Sequence, residues 1–105
     1  MVSEYCIVNI TCPEEAAEDL ASKIFKAQLA ACVHISAPFQ SLYEWEGKIE
    51  RGVEVMLGLN TRKDKYKEIE AFVVQHHPYD CPSITVHDFD DGYKEYFSWI
   101  DKSVR

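Results

Sequence analysis

Cys32 and His34 stand two residues apart. On an extended strand that spacing turns both side chains to one side. A thiolate beside an imidazole suits copper in either oxidation state, or zinc. Two donors do not close a site, so a third must come from elsewhere in the chain or from another subunit, with His77 the candidate. The competing reading is a buried structural thiol beside a partly exposed histidine. His76-His77-Pro78-Tyr79 sets two histidines where a helix should stop. A protonated His76 there complements the helix dipole, and Pro78 ends the helix. His77 either shares that structural role or points into a cleft as a metal ligand or base, with Tyr79 beside it as a further candidate ligand. Cys12 sits at an expected helix N-terminus, which lowers a thiol's pKa and favours it as ligand or nucleophile. Glu44, Glu46, Lys48 and Glu50 crowd one turn. Glu46 and Lys48 are candidate ligand residues there; the alternative is the alternating charge of a solvated turn.

Catalysis has no such support. No paired carboxylates or triad can be placed, and Cys12 has no assignable acid–base partner. The four glycines are isolated, which excludes an ordinary phosphate-binding loop. The pattern is that of a binding protein and not an enzyme. It demands no cofactor and points to copper or another divalent metal ion as ligand.

The elements that must position these residues follow closely on one another. Residues 4–11 alternate as a strand, with Cys6, Val8 and Ile10 on one side. Thr11 and Glu14 have capping-box spacing around Pro13, so a helix is expected from there to about Ala31. Its apolar stripe is Ala17, Leu20, Ala21, Ile24, Ala27 and Ala31. Residues 32–46 read as a long strand that Pro38 bends, Glu46-Gly47 as a hairpin turn, and residues 48–60 as the return strand. Thr61 and Asp64 are expected to cap a second helix carrying Tyr66, Ile69, Val73 and His76 on one face. Ile84 and Val86 make a short fourth strand. Asp90-Asp91 starts a last helix with Tyr93, Tyr96, Phe97, Ile100 and Val104 at helical spacing. This order predicts an α+β, ferredoxin-like split βαβ fold: βαββαβ plus a C-terminal helix, on a four-stranded antiparallel sheet with a long central hairpin.

A chain of 105 residues, 47% of them hydrophobic, fits a single domain over residues 1–105 with a real core. Its net charge of −7 disfavours nucleic acid and anionic membrane surfaces, both of which need a basic face. No stretch approaches the roughly 20 apolar residues of a membrane span, and the opening residues lack a basic, signal-like region. The expected compartment is cytoplasmic, where Cys6, Cys12, Cys32 and Cys81 are reduced thiols.

The central hairpin is too long for its domain. About 14 strand residues at roughly 3.3 Å each reach about 45 Å, whereas a compact chain of this size is roughly 35 Å across. A tip carrying Tyr43 and Trp45 therefore projects with aromatic surface in water, or folds back at Pro38. A projecting tip calls for a second copy of the chain to cover it. Tyr43 and Trp45 are the expected intersubunit contacts.

Thr11-Cys12-Pro13, Leu29-Ala30-Ala31-Cys32-Val33, the run Ser41 to Ile49 through Trp45-Glu46-Gly47-Lys48, and His76-His77-Pro78-Tyr79 lie in that order over nearly the whole chain. Together with Tyr96 and Trp99 they resemble the CutA divalent-cation-tolerance family. The resemblance implies a homotrimer like that of the nitrogen-regulatory P-II proteins, and a link to copper and other divalent metals. It also implies two alternatives: a P-II-like signalling trimer binding a small molecule between subunits, or a protein-assembly module without its own ligand. The chain departs from the family pattern at His34, at Asn60 and over residues 86–90.

Overall fold

The computed structural model describes residues 3–105. Its elements are β1 (Tyr5–Pro13), α1 (Glu14–Lys26), β2 (Cys32–Ile35), β3 (Phe39–Trp45), β4 (Lys48–Arg62), a 3-10 turn (Lys63–Lys65), α2 (Tyr66–His76), β5 (Ile84–Asp88) and α3 (Lys94–Ser103). This is the expected α+β split βαβ arrangement. The antiparallel sheet runs β2-β4-β1-β5, and β3 also pairs with β4. Because β2 and β3 lie along the same side of β4, the sheet is four strands wide.

Alternation decides which face is core. Cys6, Val8, Ile10 and Cys12 of β1 and Val55, Leu57 and Leu59 of β4 are buried beneath α1 and α2, together with Leu20, Ile24, Ile69 and Val73. The opposite face carries Tyr5, Ile7 and Asn60. It is covered at one end by α3, whose Phe97 stacks on Tyr5 with centroids 4.3 Å apart. Ile100 and Val104 close a second cluster on Ala31.

Several expected boundaries move. The strand read as 4–11 continues to Pro13, so Thr11 pairs with Met56 in the ladder and caps nothing. The acids Glu14 and Glu15 do occupy the first turn of α1, where the dipole favours them. That helix ends at Lys26 instead of Ala31. Gln28 takes a φ of 60°, and Leu29, Ala30 and Ala31 are buried as the crossing into β2. Thr61 is no helix cap either: it is fully buried and its hydroxyl donates to the Leu29 carbonyl at 2.7 Å. The 32–46 strand breaks at Ser36–Pro38, where Ser36 Oγ accepts from the Met56 amide at 2.8 Å. Pro38 has no N–H to continue the ladder. Asp91 accepts from the Gly92 amide at 2.8 Å, a local turn, so α3 begins three residues later and Tyr93 lies outside its buried stripe.

The hairpin projects. The molecule measures 46 × 28 × 24 Å, and β3 pairs with β4 out to Trp45↔Lys48. Glu46 and Gly47 both take positive φ, 51° and 78°, as a two-residue turn matched to strand twist requires.

Candidate functional site

Cys32 lies opposite Asn60 and His34 opposite Gly58 in the β2–β4 register, so the pair occupies the sheet face away from α1 and α2. Cys32 Sγ is 3.6 Å from His34 Nε2 and 3.9 Å from Nδ1. Cys32 is half-buried and His34 exposed. Sulfur and nitrogen ligands at about 2.3 and 2.0 Å on one tetrahedral ion are separated by about 3.5 Å. The observed spacing fits one soft or borderline metal ion held by both. Asn60 Nδ2 approaches His34 Nε2 at 3.4 Å and the Tyr96 hydroxyl at 2.7 Å, and the Asn60 Oδ1 beside them is buried without a partner. Tyr96 in turn stacks on Trp99, centroids 5.6 Å apart. Strand register brings Asn60 to the pair, and α3 brings Tyr96.

His77 is not brought there. Its Nε2–H donates to the Thr11 carbonyl at 2.7 Å, and its Nδ1 accepts from the Tyr79 amide at 3.0 Å. Both ring nitrogens are spent on backbone and the residue is buried. His77 fastens the end of α2 to β1. Among the described residues no three His, Cys, Asp or Glu side chains gather into a metal-binding group. Cys12 reverses its expectation. It lies within β1, fully buried, and burial, then Glu54 and Glu15, push its thiol pKa up. Glu46 and Lys48 are exposed at the hairpin turn.

Tyr79 belongs to a second place, a cleft of about 590 Å³ between the hairpin base and the loop after α2. Tyr43, Trp45, Glu54, Tyr79, Asp80 and Cys81 are among the residues lining it. The Tyr79 hydroxyl donates to Glu54 Oε2 at 3.1 Å; burial first, then that acceptor, pushes the phenol up to about 12. Sequence reasoning missed Glu54 because it alternates with Val53 and Val55 as a solvent-facing polar residue does. Only the loop folding back over it makes it buried.

A family model described as CutA1 divalent ion tolerance protein matches residues 6–103. The divalent-cation tolerance protein CutA of Yersinia pestis (strain Pestoides F) is 39% identical over 103 residues, covering 97% of this chain and 87% of that protein. Among solved structures, CutA1 from Oryza sativa superposes with a TM-score of 0.93 at 32% identity, covering 99% of this chain and 96% of its own. A structure from Archaeoglobus fulgidus, described as the periplasmic divalent cation tolerance protein CutA, gives a TM-score of 0.90 at 37% identity. It covers 96% of this chain and 99% of its own.

Proposed function

The chain belongs to the CutA1 divalent ion tolerance family, and from that premise we propose that it works as a homotrimer binding copper, or another divalent ion, through Cys32 and His34. The observation that carries the metal is the 3.6 Å approach of Cys32 Sγ to His34 Nε2 on a solvent-reaching face. Thiolate and imidazole rank copper above the other first-row ions. The remaining ligands come from water or a neighbouring subunit. The relatives' names describe tolerance of a divalent cation, which supports a role in handling metal ions.

Assembly is supported by the hairpin. Leu42, Trp45 and Ile49 are each more than half exposed in the single chain, which is too much clustered apolar surface for a lone strand pair in water. For location we propose the cytoplasm, because two of the four free thiols reach the surface and stay reduced there. The Archaeoglobus relative carries a periplasmic description, and cell fractionation decides for this chain. No helix among the described residues is long and apolar enough to cross a membrane.

The test is calorimetric titration of the reduced protein with Cu(I), Cu(II) and Zn(II). Because copper binds many sites adventitiously, variants are compared. Cys32→Ser and His34→Ala should each weaken binding by about tenfold or more, while Cys6→Ser, Cys12→Ser and His77→Ala leave it unchanged. Binding should weaken as pH falls toward about 5, since both ligands must be deprotonated. Equal affinities for wild type, Cys32→Ser and His34→Ala would sink the site.

A further inference from the structure

We propose that the cleft at the hairpin base binds a small organic cation with N–H donors, a protonated alkylamine or alkylguanidine. The site is separate from the Cys32–His34 pair and does not depend on it.

The argument starts from Glu54. Its side chain is carried on β4 to the floor of the cleft and is only 8% exposed. Among the described residues it makes one side-chain hydrogen bond, from the Tyr79 hydroxyl, and no basic side chain pairs with it. Its Oε2 accepts from Tyr79, and its Oε1, which unlike Asn60 Oδ1 is not sealed from solvent, is open to the cleft without a partner among the described residues. A cationic N–H donor within the cleft would pair with that oxygen as a charge-assisted hydrogen bond. Tyr79 is committed as donor because its phenol stays protonated far above neutral pH.

The walls agree with the floor. Tyr43, Trp45 and Tyr79 contribute aromatic rings, whose faces attract cations and also accept an alkyl body. Asp80 adds a second acid to the lining, and among the described residues no Lys or Arg lines it. A volume of about 590 Å³ lies within the range of small-molecule sites. The same charge argues against a nucleotide, because phosphates would meet Glu54 and Asp80. It argues less well for a metal: the cleft's acids do not gather with a third His, Cys, Asp or Glu among the described residues.

Tyr43 and Trp45 also belong to the proposed subunit contact, so binding and assembly are measured together. The protein is used as Trp99→Phe, leaving Trp45 as the one tryptophan reporter, and is titrated at pH 7 with butylammonium, 1-butanol, butyrate and ATP. Saturable change of Trp45 fluorescence with butylammonium alone, confirmed calorimetrically, is the expected result. Glu54→Gln should weaken it by about tenfold or more, with light scattering and circular dichroism unchanged. If Glu54→Gln does not fold, Asp80→Asn at the exposed rim takes its place and should weaken binding severalfold. Four outcomes overturn the proposal. They are equal response to butanol, no response to butylammonium, zinc binding at Glu54 in place of the amine, and loss of assembly in Glu54→Gln without any amine binding. The last would mean that a neighbouring subunit's basic side chain fills the cleft.

Discussion

The Tyr79–Glu54 bond links two residues far apart in sequence, and its chemistry sets a pH dependence. Folding raises the phenol from 10.0 to about 12, through burial first and the Glu54 acceptor second. A group raised on folding stabilises the protein fully below its unfolded pKa. That contribution fades as pH climbs through the folded value, so the window lies between 10.0 and about 12. Urea midpoints should fall over that window, and Tyr79→Phe should flatten the decline; parallel curves would mean that the bond does not persist in solution. The thiols divide by burial in the same way. Burial pushes Cys6 up to about 11 and also raises Cys12, whereas Cys32 and Cys81 reach the surface. A disulfide reagent should modify two thiols in the native protein and four after unfolding; four fast native thiols would contradict the closed core. At His77, replacement by Ala leaves the Thr11 carbonyl and Tyr79 amide unpaired, at roughly 1–3 kcal/mol each. The expected sign is a lower melting temperature with copper affinity intact.

Among the elements the hairpin is the one whose local chemistry and tertiary role pull apart. Its turn places Glu46 at a φ of 51°, a conformation that costs an ordinary side chain about 1 kcal/mol and Asn or Gly less. Glu46→Asn should therefore raise the melting temperature by a few degrees; a decrease would show that the Glu46 side chain makes a stabilising contact in the assembled protein. Past the turn the strands carry Trp45 outward. Truncating a large aromatic that is buried in an interface costs roughly 3–5 kcal/mol. Trp45→Ala should thus dissociate the assembly at low protein concentration. Trp99→Ala removes only the stacking partner of Tyr96 on α3, and should lower thermal stability while leaving the mass unchanged. Light scattering on the two variants separates these outcomes, and an unchanged mass for Trp45→Ala would remove the tip from the interface.

For the whole molecule, the extents of 46 × 28 × 24 Å describe a core drawn out along one axis by a projecting arm. Such an arm has too little of its own surface to bury against. The sheet face away from α1 and α2 is covered where α3 crosses it and where the loop after α2 lowers Tyr79 onto Glu54, and is otherwise open in the single chain. Both features are relieved by packing copies of the chain together. Light scattering at micromolar concentration should give three times the 12.1 kDa chain mass, and a monomer persisting at high concentration would refute the assembly.

The strands, their phases and the fold class were legible in the sequence, because burial on one face imposes a period of two. Val55, Leu57 and Leu59 display it along β4, and Cys6, Val8 and Ile10 along β1; Val53 shares their phase yet is exposed, because it lies on the hairpin beyond the end of the β1 pairing. The same-side placement of Cys32 and His34 follows from that period alone. Element ends were not legible where local signals competed with long-range packing. Thr11 looks like a cap yet is taken into the ladder by Met56. Leu29 to Ala31 continue a helical stripe yet are buried as a crossing. Thr61 looks like a cap yet donates to Leu29. Which donors share a site was decided only by tertiary structure. Register across β4 sets Asn60 beside His34, α3 lays Tyr96 over Asn60, and the loop after α2 turns both His77 nitrogens to backbone and lowers Tyr79 onto Glu54. Those approaches depend on contacts between residues 25 to 66 positions apart. Local spacing determines which way a side chain points from its own strand or helix; what it meets there is determined by the packing of elements distant in the chain.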